Sequence, residues 1–226
     1  MHLKTAADKP RLTTCLWVVL SVSTLLLTGC QSAYYGTMEK LGYHKRDLLV
    51  DRVEEARDSQ QAAKEQFQTA LEQFSSVVNF EGGDLEKKYR KLNREYQRSE
   101  AKADGVSDRI DEVEKVSKAL FKEWEAELSE YSNENLRRAS EAKLEQTRQR
   151  YDQLIDAMHR AESKIDPVLS AFKDQVLYLK HNLNAQAIAS LRDELTSVET
   201  DIASLIREME ASVAEANAFI EEIGTE

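Results

Sequence analysis

Proline occurs twice and glycine seven times in 226 residues, so a turn-rich all-β fold has nothing from which to build its corners. Two cysteines exclude a disulfide framework and a thiolate metal cluster. A surplus of positive charge is missing as well. Lys and Arg number 31 against 41 Asp and Glu, a net charge of −10, which argues against a phosphate-binding surface and hence against a nucleic-acid partner. Nucleotide-binding and nucleophile-elbow signatures (G-x-G-x-x-G, the P-loop, G-x-S-x-G) do not occur. What the chain has in quantity is charge, at 32 % of its residues, interleaved with apolar side chains at helical spacing.

The first thirty residues read as an address. Lys4, Lys9 and Arg11 form a basic start, and residues 12–28 (LTTCLWVVLSVSTLLLT) form an apolar run at the short limit for crossing a bilayer. Leu27-Thr28-Gly29-Cys30 follows, and it resembles the bacterial lipobox. The resemblance implies cleavage between Gly29 and Cys30, a diacylglyceryl group on the Cys30 thiol and acylation of the new amine. Several acyl chains on one residue satisfy the need for more than one anchoring signal. Gln31, where an Asp would favour retention in the inner membrane, implies the outer membrane, with the inner membrane as the alternative. Cys15 leaves with the signal peptide. The expected organisation is therefore a signal peptide over 1–29, a lipidated Cys30 with a tether to residue 44, and one domain over 45–226.

Within that domain apolar or small residues recur in steps of three and four. The first stripe runs Leu49, Val53, Ala56, Ala63, Phe67, Ala70, Phe74 and Val77, interrupted by Gln60, and stops at Gly82-Gly83. Asp84 caps a second segment whose phase runs unbroken through Gly105, so one helix is expected there. Ser132-Asn133 turns the chain into a third segment. Its phase persists through Asp166-Pro167, which predicts a kink near Ile165 rather than a break. Asn182-Leu183-Asn184 turns it into a fourth, from Ile188 to Ile223. The segments, approximately 45–79, 84–130, 134–182 and 185–222, predict an all-α, long antiparallel four-helix coiled-coil-like bundle. The second and third are the longest, so their hairpin should project beyond the others by roughly 15 Å at the end where the first helix starts.

Function is the least legible part. The projecting hairpin carries Phe121, Trp124, Tyr131, Arg137 and Arg138, which we take as candidate contacts for an envelope protein. The acids Glu123, Glu125, Glu127 and Glu130 disfavour anionic lipid and favour a partner with basic residues. No Glu-x-x-His pair occurs, and Asp156-Ala157-Met158-His159 is a single acid–histidine pair that fits a solvated surface. The expectation is a membrane-anchored periplasmic lipoprotein with a structural or protein-interaction role, without catalysis, cofactor, metal or small-molecule substrate. The alternatives are a periplasmic lipid carrier or chaperone and, further off, a metal-dependent bundle enzyme using His159. The stretch GYHKRDLLVDRVEEAR at 42–57, beside the lipobox, resembles an uncharacterised proteobacterial lipoprotein family catalogued as a domain of unknown function, DUF2959. That resemblance implies an all-helical envelope protein and assigns no functional residues.

Overall fold

The computed structural model describes residues 44–80 and 82–224. Gly29, Cys30, the signal peptide and nearly all of the tether lie outside the described residues. The helices are α1 (Lys45–Val78), α2 (Leu85–Glu127), α3 (Glu134–Ser163), α4 (Ile165–His181) and α5 (Ala185–Gly224), with a single 3-10 turn at Leu128–Glu130. The described residues contain no strand.

α2, α3 and α5 start where the sequence offers a side-chain oxygen to the orphan N–H groups of the first turn. The Asp84 carboxylate accepts from the Lys87 N–H at 2.9 Å. The Asn133 side chain accepts from the Asn135 and Leu136 N–H groups at 2.9 and 3.3 Å. The Asn184 side chain accepts from the Ala187 N–H at 3.0 Å. The α1–α2 turn needs Gly82 and Gly83 in particular, at φ +144° and +110°, in a region that L side chains rarely adopt. At the far end the Arg192 guanidinium donates to the Val78 carbonyl at 3.0 Å, tying α5 to an orphan acceptor at the end of α1.

Cross-helix polar pairs give the topology. Between α1 and α2, Glu55 meets Arg109 at 2.8 Å and Gln66 meets Glu95 at 3.0 Å. Between α1 and α5, Arg57 meets Asn217 at 3.3 Å and Lys64 meets Glu210 at 3.4 Å. Between α2 and α3, Glu125 meets Arg148 at 2.8 Å and Glu114 meets His159 at 3.0 Å. Between α3 and α5, Arg150 meets Glu222 at 2.6 Å and Arg160 meets Glu208 at 3.8 Å. In every pair of helices one residue number rises as the other falls, so all four neighbouring pairs run antiparallel. On the diagonal, Phe74 of α1 and Phe172 of α4 meet edge to face at 6.2 Å and 86°, with both rings fully buried.

The core follows the expected stripes, with two refinements. Gln60 does not interrupt its stripe; it is wholly buried within it. Helical phase places that position inward whatever the side chain. The expected kink lies at Lys164, which stays right-handed at φ −87° and ψ −13° while its N–H donates to the Ala161 carbonyl at 3.2 Å. Pro167 has no N–H to return to Ser163, so the ladder is interrupted there: α3 ends at Ser163 and α4 begins at Ile165, with the one-residue junction keeping a right-handed backbone.

Gly105 continues α2 as a helical residue. A Cβ placed on it would meet the Ser59 hydroxyl oxygen of α1 at 3.7 Å, an ordinary contact. Gly105→Ala should therefore raise stability by about 0.5–1 kcal/mol, read as a higher denaturant midpoint at constant slope. A lowered midpoint would mean that α1 and α2 approach more closely than this geometry allows.

Candidate functional site

The α2–α3 hairpin projects as the segment lengths require. With Glu55 opposite Arg109, the start of α1 lies near residue 119 of α2. With Glu222 bonded to Gln146 and Arg150, α5 ends near residue 146 of α3. Beyond those levels, among the described residues, α2 and α3 have only each other to pack on, over about 15 Å. Burial registers the change: from Lys122 to Lys143 no side chain is buried, whereas Phe121 and Leu144 on either side are.

The sequence-selected residues divide by environment. Phe121 faces inward, 8 % exposed, edge-on to Tyr151 at 5.5 Å with the Arg148 guanidinium 5.3 Å from its ring centre. Trp124 is half-buried between the two helices, its indole N–H donating to the Ser140 hydroxyl at 2.7 Å. Tyr131, just past the 3-10 turn, is 42 % exposed, and Leu136, one turn into α3, is 58 % exposed. Arg137 is bonded to Glu134 at 2.7 Å and Glu141 at 3.4 Å, and Arg138 reaches Asn135 at 3.2 Å. The Arg137 guanidinium holds the Glu134 carboxyl below the usual carboxylate range. Among the three aromatic candidates, then, Tyr131 is the exposed one, and it is joined by Leu136, which helical spacing alone would have assigned to the core. Arg148, Ser140 and Tyr151, which steady the hairpin from the α3 side, carry no local sequence signal for that task.

Exposed large apolar side chains cluster again at the opposite end, at Leu177, Tyr178 and Leu183. Beside them a shallow open groove is lined by Phe80, Leu85, Leu183, Ile188 and Arg192.

Among the described histidines, His159 is the one drawn into a hydrogen-bonded network. Its acids are not Asp156 but Glu162 on its own helix and Glu114 on α2. Nδ1 lies 3.0 Å from Glu162 and Nε2 lies 3.0 Å from Glu114, while the Ser107 hydroxyl donates to the other Glu162 oxygen at 2.6 Å. Partial burial by itself would lower the imidazole pKa. The hydrogen bonds and charges of the two carboxylates outweigh it, and the pKa is raised above its ordinary 6.5. The carboxylates sit against opposite ring nitrogens, a clamp on an imidazolium rather than a convergent ligand set. Among the described residues no group of three or more His, Cys, Asp or Glu is arranged to hold a metal ion.

The clamp has a pH signature. A group whose folded pKa is raised contributes its full stability below the unfolded value near 6.5 and loses it as pH rises through the folded value. The thermal midpoint should therefore decline by a degree or so on going from pH 6 upward through that window, a small effect because His159 is 46 % exposed. His159→Gln should remove this part of the pH dependence; an unaltered pH profile in the variant would contradict the clamp.

No helix among the described residues is long and apolar enough to cross a membrane. No curated protein matches the chain. A family model described as a protein of unknown function, DUF2959, matches residues 34–223, which takes in the whole bundle and the last part of the tether. An all-helical bundle matched along nearly its full length leaves no part of the architecture outside that family: the chain belongs to the DUF2959 proteins of unknown function.

Proposed function

We propose that this protein is a lipid-anchored component of the cell envelope, held at Cys30 to the outer membrane and facing the periplasm, whose bundle presents the α2–α3 hairpin to a protein partner without performing a reaction. The observation that carries the reading is the hairpin itself: a two-helix projection with no buried side chain from Lys122 to Lys143 and with Tyr131 and Leu136 exposed near its tip. Apolar anchors within a charged surround are the usual composition of a protein contact. Over residues 122–145 seven glutamates face four lysines and arginines, so complementarity calls for a basic partner.

Tyr131→Ser combined with Leu136→Ser probes it. Both side chains are exposed, so the thermal midpoint should stay close to that of the unaltered protein. The complex recovered after crosslinking in intact cells should be lost. Retention of the same complex at full yield would overturn the hairpin as the contact.

A second reading, a periplasmic carrier of lipid, is favoured by the open groove at the opposite end, where Phe80, Leu85 and Ile188 line an apolar floor. Stoichiometric lipid extracted from the purified protein, displaced by Ile188→Glu, would support it over the contact reading.

A further inference from the structure

The middle of the core contains polar atoms for which the described residues supply no partner. Gln60 is 0 % exposed, and neither its amide nitrogen nor its carbonyl oxygen is hydrogen-bonded. Ser212 on α5 is likewise 0 % exposed with an unbonded hydroxyl. Buried polar atoms are rarely left so, since each forfeits its hydration for nothing in return. Ser99, Ser117 and Thr147, the other buried hydroxyls, show the ordinary solution: each donates to a carbonyl of its own preceding turn at 2.9 Å. Ser212 does not take that course.

The register brings the two residues to one level. Arg57 meets Asn217 and Lys64 meets Glu210, so Gln60 on α1 and Ser212 on α5 lie between the same two cross-helix ties. The surroundings are small. Ala56 and Ala63 flank Gln60 along α1, Ala216 follows Ser212 by one turn, and Ala103 lies at the matching level of α2, all of them buried. Close by, the Gly105 side-chain position on α2 stands 3.7 Å from Ser59. Small side chains on three helices surround a long amide that none of them can hydrogen-bond.

We infer that the α1–α5 seam at Gln60 and Ser212 is an internal binding site for water. The chemistry suits that ligand. The Gln60 amide offers two N–H donors and a carbonyl acceptor, and the Ser212 hydroxyl can donate or accept. A buried water generally makes about three hydrogen bonds, which the amide and hydroxyl groups here are numerous enough to provide. An apolar ligand would leave the amide unsatisfied. A bridging water turns a destabilising glutamine into a satisfied one and explains how a core position tolerates it.

The test compares the full chain with Gln60→Met/Ser212→Ala. Methionine nearly reproduces the length and volume of glutamine, so the packing is kept while both polar ends are removed. Magnetic relaxation dispersion of the water signal counts long-lived internal waters. The double variant, still melting cooperatively, is expected to lose at least one. In the unaltered protein the Gln60 side-chain amide protons should show a cross-relaxation peak to water of the sign given by a long-lived molecule. Ser212→Ala alone, a one-atom change that a bundle of this size tolerates, should weaken or abolish that peak. An unchanged water count in the double variant overturns the inference. So does a Gln60 amide whose only close proton partners belong to the protein.

Discussion

Phe74→Ala is expected to cost about 3–5 kcal/mol of stability, the range for truncating a fully buried aromatic ring. For a domain whose whole stability is of order 5–15 kcal/mol, that is a large fraction, and the thermal midpoint should fall by about 6–20 °C. Phe172→Ala should cost a similar amount. The rings meet edge to face across the bundle diagonal, so the double variant should fall short of the sum by about 0.5–1.5 kcal/mol. Equilibrium denaturation of the four proteins closes the cycle. Strict additivity would mean that α1 and α4 do not meet across the core at this level.

Cys30→Ser is expected to abolish lipid labelling altogether. In the proposed anchoring, which rests on the apolar run at 12–28 and the Leu-Thr-Gly-Cys after it, the Cys30 thiol is the attachment point, and a hydroxyl oxygen cannot form the thioether. The uncleaved precursor should accumulate and run larger than the mature form, as it should in the unaltered protein when the lipoprotein signal peptidase is inhibited with globomycin. The bundle itself should be unaffected, since α1 begins fifteen residues later at Lys45 and every described helix packs within the bundle. A Cys30→Ser protein that is still cleaved to the mature size, or still takes up labelled fatty acid, would remove the anchor from the account.

The helices were legible because their information is local. A three-four spacing fixes which side of a helix meets the core, and Asp84, Asn133 and Asn184 mark the starts that the structure uses. The projecting hairpin followed from segment lengths alone. What was not legible is what depends on register between helices. Asp156 is the acid nearest to His159 on one side in sequence, yet the imidazole is held by Glu162 and by Glu114, forty-five residues away. Trp124 looks like an ordinary stripe residue until Ser140 is seen opposite its indole nitrogen. Leu136 keeps the helical phase but lies past the ends of α1 and α5, so neither of those helices covers it. Gln60 is the converse: a polar residue that seemed to break a stripe is carried into the core because its neighbours in phase are core residues. At Lys164 the segment divides into two helices across a single right-handed residue, and the phase persists because one missing N–H alters the hydrogen-bond ladder without altering the direction in which successive side chains point.

The central claim, that the α2–α3 tip is where this protein meets another, is tested most directly by photocrosslinking from single positions in living cells. A photoreactive side chain is placed in turn at Tyr131, Leu136, Tyr178 and Asp201, sampling the tip, the opposite end and the exposed middle of α5. The account predicts a discrete adduct from Tyr131 and Leu136 and none from Asp201. It predicts further that Glu127→Lys with Glu130→Lys removes the tip adduct, because the partner surface is basic. Adducts of equal yield along the whole bundle, adducts confined to Tyr178, or a tip adduct indifferent to the two charge reversals would contradict it.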